Sequence, residues 1–474
     1  MKGAPASAPG PAGAALRAAA GAAAHAAGAR GRDQLLAWTA PCRDRDLFAA
    51  FGAARAAERF LLERPAQGRA LLALGSVARL EARGPGRFEA AAQRARAIFA
   101  DLHPPGAAGG GEAGPLLVGG FAFSPADESA PEWEGFPAAR LELPEALFTR
   151  SGGAASLTLA RRIAPGADPA REAEALLERR AALERELAAP SAPVAGEGSA
   201  PASFRLEALR SDADYRARVA AALREIGAGE LEKVVLARGV RLAGRFDPPA
   251  QLAGLAAAHP GCATFAVARP EGLLLGASPE RLLRRAGRCV EAAALAGSAP
   301  RGRSPEEDAR LARGLLESKK EQAEHAVVVR GLREALAPCC SRLEVPEAPQ
   351  LLRLDAIQHL ETTLVGTLAR DLSAVELAGR LHPAPSVAGA PCGAAQGWLA
   401  RHEGLARGWY AGPLGFVAPS GDGEFWLALR CALVRGDEAL LYAGAGIVAG
   451  SEPEAELRET RLKLRALLAP LLEV

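Results

Sequence analysis

Short apolar runs separated by glycine and proline occupy the first part of the chain. Between residues 33 and 165 these runs predict strands joined by loops, and the segment RFEAAAQRARAIFADL predicts a helix. A charged amphipathic helix is predicted over 168–190, and the small-residue linker SAPVAGEGSAPASF follows it. This linker separates a predicted N-terminal α+β portion, 33–195, from the pattern that begins at residue 205.

From residue 205 onward, predicted strands and helices follow one another more closely. A serine and aspartate cap opens a helix over SDADYRARVAAALREIGAGE, and one long helical stretch covers SPEEDARLARGLLESKKEQAEHAVVVRGLREALA. Strands are predicted at KVVLARGVRL, ATFAVARP, GLLLGAS, ERLLRRAG, GPLGFVAP, EFWLALRCALVR and EALLYAGAGIV, before a last helix at SEPEAELRETRLKLRALLAPLL. Because strands and helices do not alternate regularly, the pattern predicts an α+β fold with mostly antiparallel sheets.

Composition adds limits on partners and compartment. The chain has 474 residues, of which 49% are hydrophobic and 24% charged, which is typical of a soluble globular protein. A net charge of +2 argues against nucleic acid or a membrane surface as the main partner. Seven scattered cysteines without a CxxC pair argue against a disulfide framework or a zinc site, so we expect a cytoplasmic protein. Residues 1–32, rich in alanine and glycine, are predicted to be a low-complexity, disordered leader.

Two pairs of carboxylates stand at helical spacing. Glu321 and Glu324 are three residues apart in one predicted helix, and Glu456 and Glu459 repeat that spacing in another. Residues three apart share a helix face, so each pair can present oxygens in one direction. If the two helices converge, the four carboxylates form a site suited to Mg²⁺. The alternative is a pair of solvated helix surfaces.

Other ionisable residues interrupt apolar runs. Only five of the 57 basic residues are lysine, and Lys233 begins a strand that looks buried, where it could act as a base. Glu280 follows a strand at a position where burial would favour the protonated form of a general acid. Arg430 either faces solvent or holds a carboxylate. His359 and His325 are typical of structural histidines. Glycine-bearing turns at LAGSAPRG and YAGAGIVAG allow close approach to an anion or serve only as tight turns.

Taken in order, these motifs resemble the chorismate-utilising enzymes. The resemblance covers about residues 205–470 and rests on KVVLAR, GASPERLL, LAGSAPRG, EQAEH, IQHLETTLVG, HPAPSVAGAP, LALRCALV, YAGAGIV and ELRETRLK. It implies a large α+β fold with antiparallel sheets surrounded by helices, a requirement for Mg²⁺, and chorismate as the substrate.

Particular positions resemble the isochorismate synthase branch. Members that use ammonia typically carry glutamine where Lys233 stands, and LAGSAPRG resembles the members that use water. Ser298 and Ser386 depart from the threonine and alanine that are usual there. The resemblance implies conversion of chorismate to isochorismate for menaquinone or siderophore biosynthesis. A salicylate synthase, an ammonia-using anthranilate or aminodeoxychorismate synthase, and a non-catalytic relative remain as alternatives.

The resemblance also assigns roles to residues. It implies that Lys233 activates the attacking water and that Glu280 protonates the departing hydroxyl. Glu324 and Glu456 would bind Mg²⁺, directly or together with Glu321 and Glu459 through water. The residues expected to line the substrate site are Gly297, Ser298, His359, Arg430, Tyr442, Gly444, Gly446 and Lys463. We expect a monomer or homodimer that needs no glutaminase subunit.

Overall fold

A computed structural model describes residues 11–103, 113–187, 204–355 and 357–472. Within these ranges the strands are β1 Gln34–Pro41, β2 Arg59–Arg64, β3 Arg69–Leu74, β4 Ala78–Glu81, β5 Leu102–His103, β6 Leu117–Phe121, β7 Ala139–Leu143, β8 Ala146–Ser151, β9 Ala154–Ile163, β10 Arg205–Ala208, β11 Lys233–Ala243, β12 Ala263–Arg269, β13 Gly272–Ser278, β14 Arg281–Ala286, β15 Cys289–Pro300, β16 Cys340–Glu344, β17 Gln350–Arg353, β18 Ile357–Leu368, β19 Gly389–Ala390, β20 Pro413–Val417, β21 Gly423–Leu427, β22 Cys431–Arg435 and β23 Glu438–Val448. The helices are α1 Pro11–Arg30, α2 Leu47–Ala53, α3 Arg87–Ala100, α4 Pro169–Glu186, α5 Asp212–Gly227, α6 Pro248–Ala258, α7 Pro305–Glu317, α8 Lys319–Leu336, α9 Ala374–Leu381, α10 Cys392–His402 and α11 Pro453–Leu472.

The described strands form two large sheets. The first has the order β10-β11-β23-β22-β13-β12-β2-β3-β8-β9-β1-β5, with β19 paired to β11, and the second has the order β16-β18-β15-β14-β21-β20-β6-β7-β4, with β17 paired to β18. Neighbouring strands are antiparallel except β1 and β5, which are parallel. The predicted α+β class is therefore confirmed. Strands from both predicted portions, 33–195 and 205–470, enter both sheets.

The first sheet is buried on both faces. Along β12, Ala263, Phe265 and Val267 belong to the core that the two sheets share, whereas Ala266 and Ala268 belong to a second core. This alternation follows from the two-residue period of a strand. The second core is completed by helices such as α1, α4 and α11. Within the described ranges, none of the helices combines the length and apolar composition that crossing a membrane requires.

The predicted disordered leader, 1–32, is wrong for residues 11–30, which form α1. Alanine has the strongest helix propensity of all residues, so an alanine-rich segment forms a helix wherever it can also pack. Leu16, Ala20, Ala23 and Ala27 are buried at helical spacing, and the helix packs on α4 and β1. Residues 1–10 lie outside the described residues.

Two predicted elements are each divided in the structure. The long helical stretch after residue 304 is two helices, α7 and α8, because Ser318 has extended backbone angles and caps α8. The predicted strand EFWLALRCALVR is also two strands, β21 in the second sheet and β22 in the first. The chain crosses between the sheets at residues 428–430, where Arg430 has a φ of 46°.

Candidate active site

A cavity brings together most of the residues that the sequence predicts for catalysis and binding. Strands of both sheets and helices α8 and α11 contribute to its lining. The predicted residues in that lining are Glu280, Gly297, Ser298, Glu324, His359, Arg430, Tyr442, Gly444, Gly446, Glu459 and Lys463. Three predicted residues are outside that lining. Lys233 forms an ion pair with Glu324 of the lining, Glu321 accepts from the backbone N–H of Ser298 in the lining, and Glu456 forms an ion pair with Lys320.

Lys233 is the first residue of β11 and is only 1% exposed. Its Nζ lies 2.9 Å from Oε1 of Glu324, a residue predicted to bind metal. Gly446, on the neighbouring strand β23, makes room for this ion pair. A Cβ atom at Gly446 would lie 2.9 Å from Cε of Lys233 and would overlap the Glu324 carboxylate. The structure thus gives Gly446 a steric role beside the lysine.

Glu280 lies between β13 and β14 and is buried against the cavity. Burial raises the pKa of its carboxyl to about 7, and the hydrogen bond from Ser386 and the charges of Lys233 and Lys463 partly oppose that rise. The Ser386 hydroxyl donates this bond to Oε1 of Glu280. Near neutral pH the carboxyl therefore exists in both protonated and ionised forms, as a general acid requires.

Arg430 is buried without an ion pair in the described part of the chain. Its Nη2 donates to Nε2 of His359 over 3.1 Å, and its Nη1 lies 3.8 Å from Sγ of Cys262. Burial, then the charges of Arg430 and Lys463, hold the pKa of His359 well below its usual range. A buried guanidinium without a carboxylate partner is costly unless it meets an anion. Its position in the cavity lining therefore points to an anionic ligand.

The hydrogen bond from Arg430 also fixes the tautomer of His359. Because Nε2 accepts from a guanidinium, the proton of the neutral ring belongs on Nδ1. Nδ1 lies 3.0 Å from Oγ of Ser298 and 3.3 Å from the carbonyl oxygen of Gly297, so it can donate to either. His359 therefore connects the arginine to β15 at Gly297 and Ser298, where the pairing with β18 is irregular; the turn predicted there from the sequence lies within this strand.

The four predicted metal-binding glutamates converge from α8 and α11. Burial and the charges of Glu324 and Glu459 raise the pKa of Glu321, although Lys320 opposes the rise. Burial and the charge of Glu459 likewise raise the pKa of Glu456. Carboxylates of both helices share one region, since Nζ of Lys320 lies 3.3 Å from Oε1 of Glu321 on α8 and 2.8 Å from Oε1 of Glu456 on α11. The Oε2 atom of Glu456 is buried there and has no hydrogen-bond partner among the residues that the structure describes.

Ammonium groups neutralise three of these carboxylates. The ion pairs are Lys233 with Glu324 at 2.9 Å, Lys320 with Glu456 at 2.8 Å, and Lys463 with Glu459 at 2.7 Å. The backbone N–H of Ser298 donates to Oε2 of Glu321 over 3.1 Å. In the part of the chain that the structure describes, no three His, Cys, Asp or Glu side chains are grouped closely enough to hold a metal ion. Three lysine side chains thus lie against carboxylates of α8 and α11.

The cavity also contains residues that were not predicted from the sequence. Tyr410 stacks on Tyr442 with ring centroids 4.9 Å apart. Arg407 is fully buried, forms an ion pair with Glu403, and donates to the backbone oxygens of Val235 and Val387. The sequence carries one signal for this pair, an acidic and a basic residue at i, i+4. The same spacing is common on solvated helices, so it did not single them out.

Comparison with known proteins is consistent with this geometry. Residues 21–472 match the family of chorismate binding enzymes. The chain belongs to this family. It is 38% identical over 405 residues to the salicylate biosynthesis isochorismate synthase of Pseudomonas aeruginosa, covering 84% of this chain and 82% of the relative. It is 35% identical over 362 residues to isochorismate synthase MenF of Bacillus subtilis, covering 76% and 75%.

A solved structure extends the likeness to the fold. Menaquinone-specific isochorismate synthase MenF of Escherichia coli aligns with a TM-score of 0.75 at 28% identity, covering 93% of this chain and 94% of that one. The resemblance stated from the sequence motifs is thereby confirmed at the level of the family. It extends well upstream of residue 205, where the motifs begin.

Proposed function

We propose that this protein is an isochorismate synthase, which converts chorismate to isochorismate. The observation that carries the proposal is the arrangement of Lys233 and Glu280. Lys233 is buried at the start of β11, Glu280 is buried in the cavity lining with its pKa raised to about 7, and the charge of Lys233 acts on the Glu280 carboxyl. The relatives that the chain matches at 38% and 35% identity are both named isochorismate synthases.

The proposed reaction exchanges one hydroxyl for another. Lys233, as the free amine, takes a proton from water while the water oxygen bonds to C2 of the ring. The ring double bonds shift, the C4–O bond breaks, and Glu280 gives its proton to the departing hydroxyl, which leaves as water. A lysine can perform this step because it can lose its proton, whereas an arginine stays charged.

The substrate carries two carboxylates, and the cavity offers cationic groups for them. We assign Arg430 to the enolpyruvyl carboxylate, since it is the buried guanidinium in the lining without an ion pair among the described residues. Its planar fork suits a carboxylate. Tyr442 and the backbone of Gly444, whose oxygen accepts from Lys463 over 2.9 Å, would border the same group. Gly297, Ser298 and His359 would line the remainder.

We also propose that the enzyme requires Mg²⁺. Carboxylate oxygens are the ligands that Mg²⁺ prefers. Glu324 and Glu456 would bind it, directly or with Glu321 and Glu459 through water. The buried Oε2 of Glu456, which has no partner within the described ranges, supports this assignment. Bound Mg²⁺ would neutralise the ring carboxylate. The names of the relatives include both menaquinone and salicylate biosynthesis. We therefore keep both expected pathways, menaquinone and siderophore biosynthesis, in the proposal. We also propose that the enzyme acts in the cytoplasm.

The function is tested by product analysis. Purified protein with chorismate and Mg²⁺ should form isochorismate, resolved by chromatography, and ammonium should not change the product. Salicylate, anthranilate or aminodeoxychorismate as the main product would contradict the proposal.

Lys233→Ala and Lys233→Gln test the proposed base. We expect each to lower kcat at least ~100-fold, because general base catalysis typically contributes 10²–10⁴-fold. Chorismate binding, measured by calorimetry, should be retained. The matched control is Lys319→Ala, since Lys319 is exposed at the start of α8. Full turnover in either Lys233 variant would exclude the lysine as the base.

A further inference from the structure

Ser386 holds a fixed position beside Glu280. It lies in the segment between α9 and β19, where the backbone N–H groups of Val387 and Ala388 both donate to the oxygen of Ala384. Arg407, itself fully buried, donates to the oxygen of Val387 over 2.8 Å. The serine therefore stands on a segment whose backbone is tied to the protein interior. Its hydroxyl faces the cavity and donates to Oε1 of Glu280.

We propose that Ser386 is a positioning residue, which keeps Oε1 of Glu280 as a hydrogen-bond acceptor so that Oε2 carries the proton for the departing hydroxyl. This inference rests on the proposed role of Glu280 as the general acid. A carboxyl that accepts a hydrogen bond at one oxygen binds its own proton at the other. Ser386 thus selects which oxygen is the acid.

The same hydrogen bond also lowers the pKa of the Glu280 carboxyl. The groups that act on this carboxyl are Ser386, Lys233 and Lys463, and each lowers its pKa against the larger effect of burial. The backbone of residue 280 is also hydrogen-bonded: its N–H donates to Oγ of Ser278, and its oxygen accepts from the N–H of Leu427. Removing the Ser386 hydroxyl leaves burial less opposed, so the pKa of Glu280 rises.

The experiment titrates the Glu280 carboxyl directly. Its protonated form has an infrared carbonyl band, assigned by the loss of that band in Glu280→Gln. We expect the titration midpoint in Ser386→Ala to move up by about one pH unit, because the lost hydrogen bond favours the ionised form of the carboxyl. Ser386→Thr keeps a hydroxyl and should keep the midpoint. Ser341→Ala is the matched control, because Ser341 is exposed and its hydroxyl donates to the backbone oxygen of Thr367.

Turnover supplies the second measurement. The pH profile of kcat/KM for chorismate should have a limb whose midpoint equals that of the carboxyl titration. In Ser386→Ala we expect this midpoint to rise by the same amount as the titration midpoint. KM for chorismate should change less than kcat. An unchanged midpoint in Ser386→Ala, or an equal shift in Ser386→Thr or Ser341→Ala, overturns the inference. Full activity of Glu280→Gln would instead overturn the proposed acid, so the two failures are distinguishable.

Discussion

Arg430 combines two unfavourable features at one position. Its guanidinium is buried, and its φ of 46° lies in the left-handed region that residues with a side chain rarely adopt. Such backbone strain costs on the order of 1–3 kcal/mol and persists where the surrounding structure enforces it, often at ligand sites. Here the strain allows the chain to turn from β21 into β22 while the side chain enters the cavity. We infer that the substrate carboxylate offsets the cost of the buried charge.

Two substitutions of Arg430 separate the role of its side chain in binding from the backbone strain at this position. Arg430→Ala should raise KM for chorismate by roughly 10–100-fold, because a hydrogen-bonded charge is worth about 1.5–3 kcal/mol. Arg430→Gly should raise KM equally but should be more stable to urea than Arg430→Ala by about 1 kcal/mol, since glycine adopts positive φ without strain. Steady-state kinetics and urea unfolding measure the two effects.

Arg310→Gln is the control for the loss of a guanidinium, because Arg310 is 72% exposed on α7. It should change neither KM nor stability appreciably. If Arg430→Ala bound chorismate as tightly as the unaltered protein, the assignment of Arg430 to the substrate carboxylate would be wrong.

At the scale of single residues, the sequence indicated those that break a local pattern. Lys233, Glu280 and Arg430 were recognisable because each is an ionisable residue within or beside an apolar run. The hydrogen bond from Ser386 to Glu280 was not recognisable, since it joins positions 106 residues apart. The ion pair of Lys233 with Glu324 also joins residues far apart in the sequence. The motifs predict a role for each residue but not their contact.

At the scale of elements, the break between α7 and α8 positions two of the proposed metal ligands. Ser318 leaves helical geometry, and its Oγ accepts from the backbone N–H of Glu321 over 3.4 Å. This cap sets where α8 begins, and thereby which face of the helix carries Glu321 and Glu324. The sequence concealed the break, because helix-favouring residues continue on both sides of it. A serine followed three residues later by glutamate was nevertheless an available signal of a helix start.

Ser318→Ala should destabilise the protein by about 1 kcal/mol, as expected for the loss of an N-cap. Ser318→Gly should cost only a few tenths of a kcal/mol, because glycine is itself accepted at that position. Urea unfolding of the three proteins measures this order. Equal stability of the alanine variant and the unaltered protein would show that the Ser318 side chain does not cap α8.

At the scale of the whole molecule, the class of fold was predictable and the order of strands was not. Alternating apolar runs indicated antiparallel sheets, and the structure confirms them. The pairing of β12 with β2, however, joins segments about 200 residues apart, and β6 likewise pairs with β20 across the chain. Periodicity is local, so it carries no information about such partners. For the same reason the burial of α1 could not be predicted from its own sequence, because it depends on packing against α4.

The interior of the molecule also contains neutral histidines. Burial, followed by the charge of Arg87, lowers the pKa of His382 to about 3, and its Nε2–H donates to the oxygen of Phe123 over 3.1 Å. Burial likewise lowers the pKa of His325 to about 4, and its Nε2 lies 2.7 Å from Oγ1 of Thr362. Both side chains are held in their uncharged form by the folded structure.

These histidines predict a loss of stability in acid. The pKa of His382 is lower in the folded chain than its value of about 6.5 in the unfolded chain, so below pH 6.5 the unfolded state binds the proton first. The contribution of neutral His382 to the free energy of unfolding is fully present above pH 6.5 and is lost as the pH falls towards 3. Between pH 7.5 and 5, His382 should therefore reduce the free energy of unfolding by about 2 kcal/mol. His382→Gln should be less stable than the unaltered protein at pH 7.5, yet lose about 2 kcal/mol less on acidification. Urea unfolding at both pH values measures the difference. The control is His25→Gln, because His25 is exposed. If His382→Gln lost as much stability on acidification as the unaltered protein, the assignment to His382 would be wrong.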